Sequence, residues 1–562
     1  MSLAPAPSRG WRADRLARQA IGTLSHRGPD GHGVVGDAGS AVAMCRLRVR
    51  SRPGDAVPFA GGEAVYAFNG EVYTAGGTVP AGGTDEAEAV HAAGEGLGAA
   101  LDGMYALVRR APDGSLTVAR DPLGIKPLYL RRTPAGVAVA SEIPALLELF
   151  GPAEVRAAAV AQFLLYGRVV DGGTFYEGVA PVPPGGRLLI KEGRVQHLGT
   201  DTVAPAPVPA GPEALRAAVA DSVRRVLVSD RPVGLAVSGG LDSTVLALEL
   251  ARLGVRELST VSVVPDGNGD GITGLCALGL PGTVWHGWRH RWAPFGPGDL
   301  LDGIPDAVRA LGEPTAMTSV PMYAALARLA QDSGIVVLLA GEGADELFGG
   351  YRSYLRLPDT TDPVSFYLPT ARENLLRSLL APDAYEAARD ALHDALPASG
   401  GRRAAEVVRE FEYTHSLEPL LRRADHLLMA RGVEGRTPFL HGGVPALAAA
   451  ESFAGLVGAG QTKLPLRRAY GAELPAYRDE VKKPFRAPVA DWLTGPAAGR
   501  VVAGLNGHRD LLTGAGLRPD GIDHLLAGLR AGDPTAAELS FPLLTLGAWL
   551  EWQADQSASP RN

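Results

Sequence analysis

The 562-residue chain is short of cysteine and of lysine. Cys45 and Cys276 are its two cysteines, too few for a disulfide framework and not spaced as a C-x-x-C metal clip, so a reducing compartment is the expectation. It has no run of five like charges and its net charge is −7, which argues against nucleic acid as a partner. Apolar runs such as Ile335 to Ala340 fall far short of the ~20 residues that span a bilayer. The N-terminal stretch MSLAPAPSRGWRADRL has no apolar signal-peptide core, so no membrane association and a cytoplasmic location are expected. Lysine occurs five times (Lys126, Lys191, Lys463, Lys482, Lys483) against 49 arginines. Where arginine supplies the general surface charge, each lysine is a candidate for work that needs a compact, titratable ammonium.

With 46% hydrophobic residues the chain can fill full cores, yet it exceeds the ~250–300 residues at which one core stops growing. Two domains are expected. The first 200 residues alternate in short stretches (Ala64 to Phe68, Leu116 to Ala119, Val137 to Ala140) broken by turn pairs, the pattern of antiparallel strands. Helical spacing appears at Asp85 to Ala100 and Ile143 to Leu149. The Pro/Ala-rich segment Thr202 to Pro212 reads as a linker, dividing the chain into 1–200, 201–212 and 213–555. Beyond it helices (Glu213 to Leu227, Ser243 to Leu253, Pro321 to Asp332) alternate with apolar strands (Val233 to Val237, Leu258 to Val264, Ile335 to Leu339). That alternation predicts a parallel α/β sheet, and the chain from about 360 onward reads as helical.

Two strings carry chemistry. Ser238-Gly239-Gly240-Leu241-Asp242-Ser243 joins a buried strand to a helix start; its glycines let backbone N–H groups cradle phosphate, and both serines add donors. A carboxylate there repels phosphate unless a cation intervenes, so Asp242 points to Mg²⁺. Gly341-Glu342-Gly343-Ala344-Asp345-Glu346 follows the strand ending at Leu339, and three acids within five residues call for a cation or a proton transfer. Both loops leave the carboxyl ends of strands, where open α/β sheets bind ligands.

The SGGLDS string resembles the pyrophosphate loop of the ATP-pyrophosphatase superfamily, and it lacks the lysine of a γ-phosphate-transferring loop. With Glu313-Pro314, DHLLMARGVEGRTPFL (425–440), Lys463, Leu466-Arg467 and KKPFRAPVADWL (482–493), the chain resembles the asparagine synthetase family. The resemblance implies ATP and Mg²⁺ as cofactors. It also implies pyrophosphate binding by residues 238–243 with Gly341 and Gly343, metal ligation by Asp242 and Asp345, Glu342 as the base for the incoming amine, and Lys482 as the neutraliser of the adenylate. Residues 27–31 (RGPDG), 69–73 (NGEVY), 84–86 and 120–129 (RDPLGIKPLY) resemble the family's glutamine-hydrolysing domain, a β-sandwich flanked by helices; Arg46, Asn69, Gly70 and Asp85 would line its glutamine pocket.

Departures from that pattern are as informative. The family's nucleophilic cysteine follows the initiator methionine and uses its own α-amine as base. Here Ser2 follows Met1 with no apolar first strand after it, and Cys45 sits inside a strand-like run. Glutaminase activity is therefore expected to be absent, although a start placed at the wrong codon would look the same. Residues 265–297 match nothing in the family; Trp285, Trp288 and Trp292 with His286 and His290 are expected to pack in a core or pocket rather than bind metal. The expected activity is AMP-forming ligation of a small carboxylate, aspartate by default, with ammonia or an amine. A natural-product tailoring synthetase or ring-closing enzyme is the alternative, as is a non-catalytic homologue, and a homodimer stays open.

Overall fold

The computed structural model describes residues 2–5, 12–50, 57–80, 82, 84–92, 101–208, 211–266, 287–368, 370–474 and 488–558. In the first half the strands are β1 (Ser2–Pro5), β2 (Gly31–Gly36), β3 (Ala41–Arg46), β4 (Phe59–Gly61), β5 (Ala64–Ala75), β6 (Leu101–Arg110), β7 (Leu116–Arg120), β8 (Tyr129–Thr133), β9 (Gly136–Ala140), β10 (Val179–Pro181), β11 (Gly186–Lys191) and β12 (Arg194–Thr200). They form two antiparallel sheets, ordered β10-β8-β9-β1-β3-β2 and β12-β11-β7-β6-β5-β4. The period of two explains the layering. Along β3 and β9, Val42, Met44, Val137 and Val139 face the second sheet, whereas Ala41, Ala43, Ala138 and Ala140 face the helices. Small residues on the outer face let helices Ala13–Ala20 and Ile143–Phe150 pack against the first sheet.

One expectation is overturned here. A strand does follow Met1: β1 pairs with β3 on one side and β9 on the other. Ser-Leu-Ala-Pro has weak strand propensity of its own, and pairing on both sides supplies what composition does not. The predicted helix from Asp85 is Thr84–Ala92, and positions 93–100 lie outside the described residues.

The second half is built on a parallel sheet ordered β15-β14-β13-β16-β17, from β13 (Val233–Ala236), β14 (Ser259–Pro265), β15 (Arg289–Phe295), β16 (Val337–Leu339) and β17 (Glu434–Arg436). Leu235, Val337 and Leu339 pack under helices Pro212–Val226 and Leu241–Arg252. Val261, Val263 and Leu338 face helices Ile304–Leu311, Ser319–Asp332 and Leu417–Met429 on the other side. Within the unmatched segment, Trp288 is buried and its indole N–H donates to Val255 O at 2.9 Å, and His290 Nδ1 meets Thr260 Oγ1 at 2.8 Å. Trp292, however, is 45% exposed on β15, an edge strand among the described residues, which corrects the expectation that it packs inside. Trp285 and His286 lie outside the described residues.

The halves share one core. Trp549, on the last helix Pro534–Ala558, is fully buried against Phe175 and Tyr176, with ring centroids 5.3 Å apart in each pair. Its indole N–H donates to Tyr176 Oη at 2.8 Å. A buried ion cluster adds a polar joint: Arg27 donates to Glu142 at 2.8 Å and to Asp425 at 2.6 Å, and Lys126 reaches Asp425 at 3.2 Å. Burial alone raises both acids, but Arg27 and Lys126 outweigh it for Asp425, and His26 with Arg27 for Glu142, holding each at about 2. Burial lowers His426 to about 4.

The sign of each shift is the same. The unfolded chain takes up a proton on His426 near 6.5 and on the acids near 4, before the folded chain does, so stability falls with acidification. A pH series of thermal midpoints should decline from about pH 6.5 downward and more steeply between about pH 4.5 and 2, each acid contributing about 2–3 kcal/mol. A midpoint flat from pH 7 to 3 would contradict this.

Candidate active site

At the carboxyl end of β13 the chain turns through Gly239, whose φ of +74° favours glycine, into helix Leu241–Arg252. Gly240 caps that helix without a side-chain bond. The loop is braced from within: Ser238 Oγ meets Ser243 Oγ at 3.2 Å, and Ser243 Oγ donates to Gly240 O at 3.1 Å. The second loop leaves β16 and presses against it. A Cβ on Gly341 would come within 2.9 Å of Asp242 Cβ, so only glycine lets the two loops meet. Gly343, at φ +85°, starts the short helix Ala344–Phe348 that carries Asp345 and Glu346.

Between the loops sits Lys463. Its ammonium lies 2.5 Å from both carboxylate oxygens of Asp242 and 2.8 Å from Asp345, and the residue is 3% exposed. Its backbone is left-handed, φ +55°, a conformation costly for a residue with a Cβ and held here by its surroundings. Gly350 closes the far side, since a Cβ there would meet Lys463 Cε at 2.3 Å. The two aspartates expected to share a cation are thus brought together, and the chain supplies one cation itself.

Glu342 points to a different neighbour. Arg423, on helix Leu417–Met429, donates to it at 2.7 Å and to Ser319 Oγ at 2.6 Å, with the guanidinium 4.7 Å over the Tyr323 ring. Burial, with the Glu342 charge adding to it, pushes the Tyr323 hydroxyl up. One turn on, buried Glu346 accepts from Tyr351 Oη; burial, reinforced by Glu342, pushes its carboxyl up to about 7. Sequence reasoning named Lys463 as one of the scarce lysines and as a family match, without a partner, and passed over Arg423. The signal for Lys463 was its rarity: it is one of five lysines.

Both loops, Lys463, Glu342 and Arg423 line one cavity of about 1700 Å³, which runs on past Glu412 to Tyr166 and Arg168 of the first half. Lys482 lies outside the described residues. The second cavity, of about 100 Å³, contains Arg46, Asn69 and Gly70. Arg46 donates to Arg50 O at 3.3 Å and lies 4.8 Å over Phe59; Gly70 at φ +136° leaves no room for a Cβ beside Met104 O. Asp85 sits in the first turn of helix Thr84–Ala92 and does not line this cavity. Arg50 also lines this cavity and pairs with Glu71 at 3.2 Å and Glu86 at 3.1 Å. Cys45 stands mid-strand in β3 on the same cavity, its thiol pushed up by burial.

A Gly-rich loop and an acidic loop meeting at the ends of parallel strands, beside a first half built as an antiparallel sandwich, are the features of an ATP-using carbon–nitrogen ligase. Family comparison agrees. Residues 214–551 match the asparagine synthase family and residues 86–200 match the glutamine amidotransferase domain. A Mycobacterium bovis protein provisionally named an asparagine synthetase (glutamine-hydrolyzing) is 28% identical across 87% of this chain and 86% of its own length. Asparagine synthetase 1 of Bacillus subtilis is 29% identical over 61% of this chain and 56% of its own, and asparagine synthetase B of Escherichia coli is 26% identical over 65% of each. The chain belongs to the asparagine synthase family and is an ATP-dependent amide ligase of that family. No helix among the described residues is long and apolar enough to cross a membrane.

Lys463→Met removes the ammonium and leaves Asp242 and Asp345 facing each other. Loss of such a preorganised charge costs ~10²–10³ in rate, so AMP formation should fall by that factor with secondary structure unchanged by circular dichroism. A variant with normal turnover would strip Lys463 of any part in the reaction.

Proposed function

We propose that the chain adenylates a carboxylate, releases pyrophosphate, and passes the acyl group to ammonia or an amine, without hydrolysing glutamine. The observation that carries the reading is the meeting of Asp242 and Asp345 on Lys463 beside the Ser238–Ser243 loop. A substrate carboxylate oxygen attacks the α-phosphorus of ATP, the bond to the bridging oxygen breaks, and pyrophosphate departs. The amine nitrogen then attacks the acyl carbon, loses one proton, and AMP leaves. On this reading Ser238, Gly239, Gly240, Leu241 and Ser243, with Gly341 and Gly343, cradle the phosphates, and Lys463 and Lys482 balance charge. Residues 1–200 form a degenerate amidotransferase-like domain and 213–555 the synthetase domain.

The donor set suits Mg²⁺: two hard carboxylates on adjacent loops, with phosphate oxygens to complete the shell. Asp242 and Asp345 would hold it, and bound there it would offset charge on the phosphates.

Support for the absence of glutaminase activity comes from the first half. A cavity of about 100 Å³ compares with the ~300–1,000 Å³ of small-molecule sites, and the Cys45 thiol in mid-strand has no α-amine of its own. A tailoring synthetase or ring-closing enzyme acting on an acid larger than aspartate is a second reading, favoured by the about 1700 Å³ of the main cavity.

Incubation with Mg–ATP, ammonium and a panel of acids beginning with aspartate should yield AMP and pyrophosphate; ADP and phosphate would overturn the reading. Glutamine should not replace ammonium, and stoichiometric glutamate would refute that part. Glu342 accepts the amine proton, a role worth ~10²–10⁴-fold. Glu342→Gln should therefore slow amide formation by that factor while acid-dependent exchange between pyrophosphate and ATP persists. Equal loss of both would move Glu342 to the adenylation step.

A further inference from the structure

Helix Leu417–Met429 has one face in each half of the molecule. Arg423 and Asp425 are two residues apart, about 200° around the helix axis at 3.6 residues per turn. Arg423 therefore looks into the nucleotide cavity, where it holds Glu342 at 2.7 Å and Ser319 at 2.6 Å. Asp425 looks the opposite way and is gripped by the first half: Arg27 donates to Oδ2 at 2.6 Å and Lys126 to Oδ1 at 3.2 Å. Neither cation floats. Arg27 is tied on its other arm to Glu142 at 2.8 Å, which His26 also meets at 3.0 Å, and Lys126 is 1% exposed. Two buried cations and two buried anions thus balance, and each carboxylate oxygen of Asp425 has its own donor. In a site this dry such bonds are short, charge-assisted and directional, so they fix a position more than they add net stability. Between the two faces, Arg422 pairs with Glu313, and Glu313 accepts the backbone N–H of Phe175 at 2.8 Å, a second tie from the first half to the same turn of helix.

Resting on the role given above to Glu342, we infer that Arg27 and Lys126 are positioning residues for amide formation: by clamping Asp425 they set the rotation and axial height of helix Leu417–Met429, and so aim the Arg423–Glu342 pair at the acyl group. The amidotransferase-like half then serves the synthetase reaction directly. Its RGPDG and RDPLGIKPLY strings supply the clamp whether or not glutamine is ever bound.

The test compares wild type with Lys126→Met, Arg27→Gln and the conservative Arg27→Lys in the full chain, using aspartate, ammonium and Mg–ATP. Lys126→Met and Arg27→Gln should lower kcat for amide formation at least tenfold while KM for ATP and pyrophosphate–ATP exchange stay within twofold, and Arg27→Lys should recover most of the loss. Hydrogen–deuterium exchange should rise in residues 417–429 and 341–348 and not across the 238–252 segment. Unchanged kcat with a lowered thermal midpoint, or exchange raised evenly through the second half, would reduce the clamp to plain structural support and overturn the inference. If wild type forms no AMP from aspartate, that failure falls on the functional reading, and the exchange pattern alone decides for or against the clamp.

Discussion

One ammonium between two carboxylates organises the nucleotide end of this molecule. Asp242 and Asp345 come from loops after different strands, and with like charges so close neither loop could settle without a cation between them. Lys463 enters from a third segment and is accommodated only because its backbone adopts a left-handed turn and Gly350 leaves space beside it. The close approach of Gly341 to Asp242 makes the same point from the backbone side. Charge balance thus fixes which loops meet, and glycine fixes how closely.

The other organising element is the helix Leu417–Met429, flanked by both halves. Apolar packing such as that of Phe175 and Tyr176 on Trp549 supplies an attraction between halves that is nondirectional and area-driven. The ion cluster around Asp425 supplies register. These are different tasks, and the molecule assigns them to different chemistries a short distance apart.

Much of this was legible in the sequence because the signals are local. Gly-rich strings after apolar runs marked both loops that line the main cavity, and strand and helix boundaries in the second half fell within a few residues of those observed, as for Ser259–Pro265 and Leu241–Arg252. What escaped depends on long-range contact. Lys463 lies 221 residues from Asp242, and Arg423 81 from Glu342, so no window of sequence could pair them. The strand Ser2–Pro5 was missed because its hydrogen-bond partners, not its composition, make it a strand. Trp292 was misjudged since a large apolar residue is ordinarily buried, and nothing local marks a strand as the last in its sheet.

That last strand has a further consequence. Among the described residues β15 is paired on one side only, and an unpaired row of backbone donors and acceptors is a template on which another chain can add itself. Here the exposed Trp292 would make such growth adhesive, but Arg289 and Arg291 precede it and Pro294 follows it. Two guanidiniums repel their own copies across any edge-to-edge stack, and the proline withholds a hydrogen from the ladder. The strand therefore carries its own guard against self-association, written into seven consecutive residues.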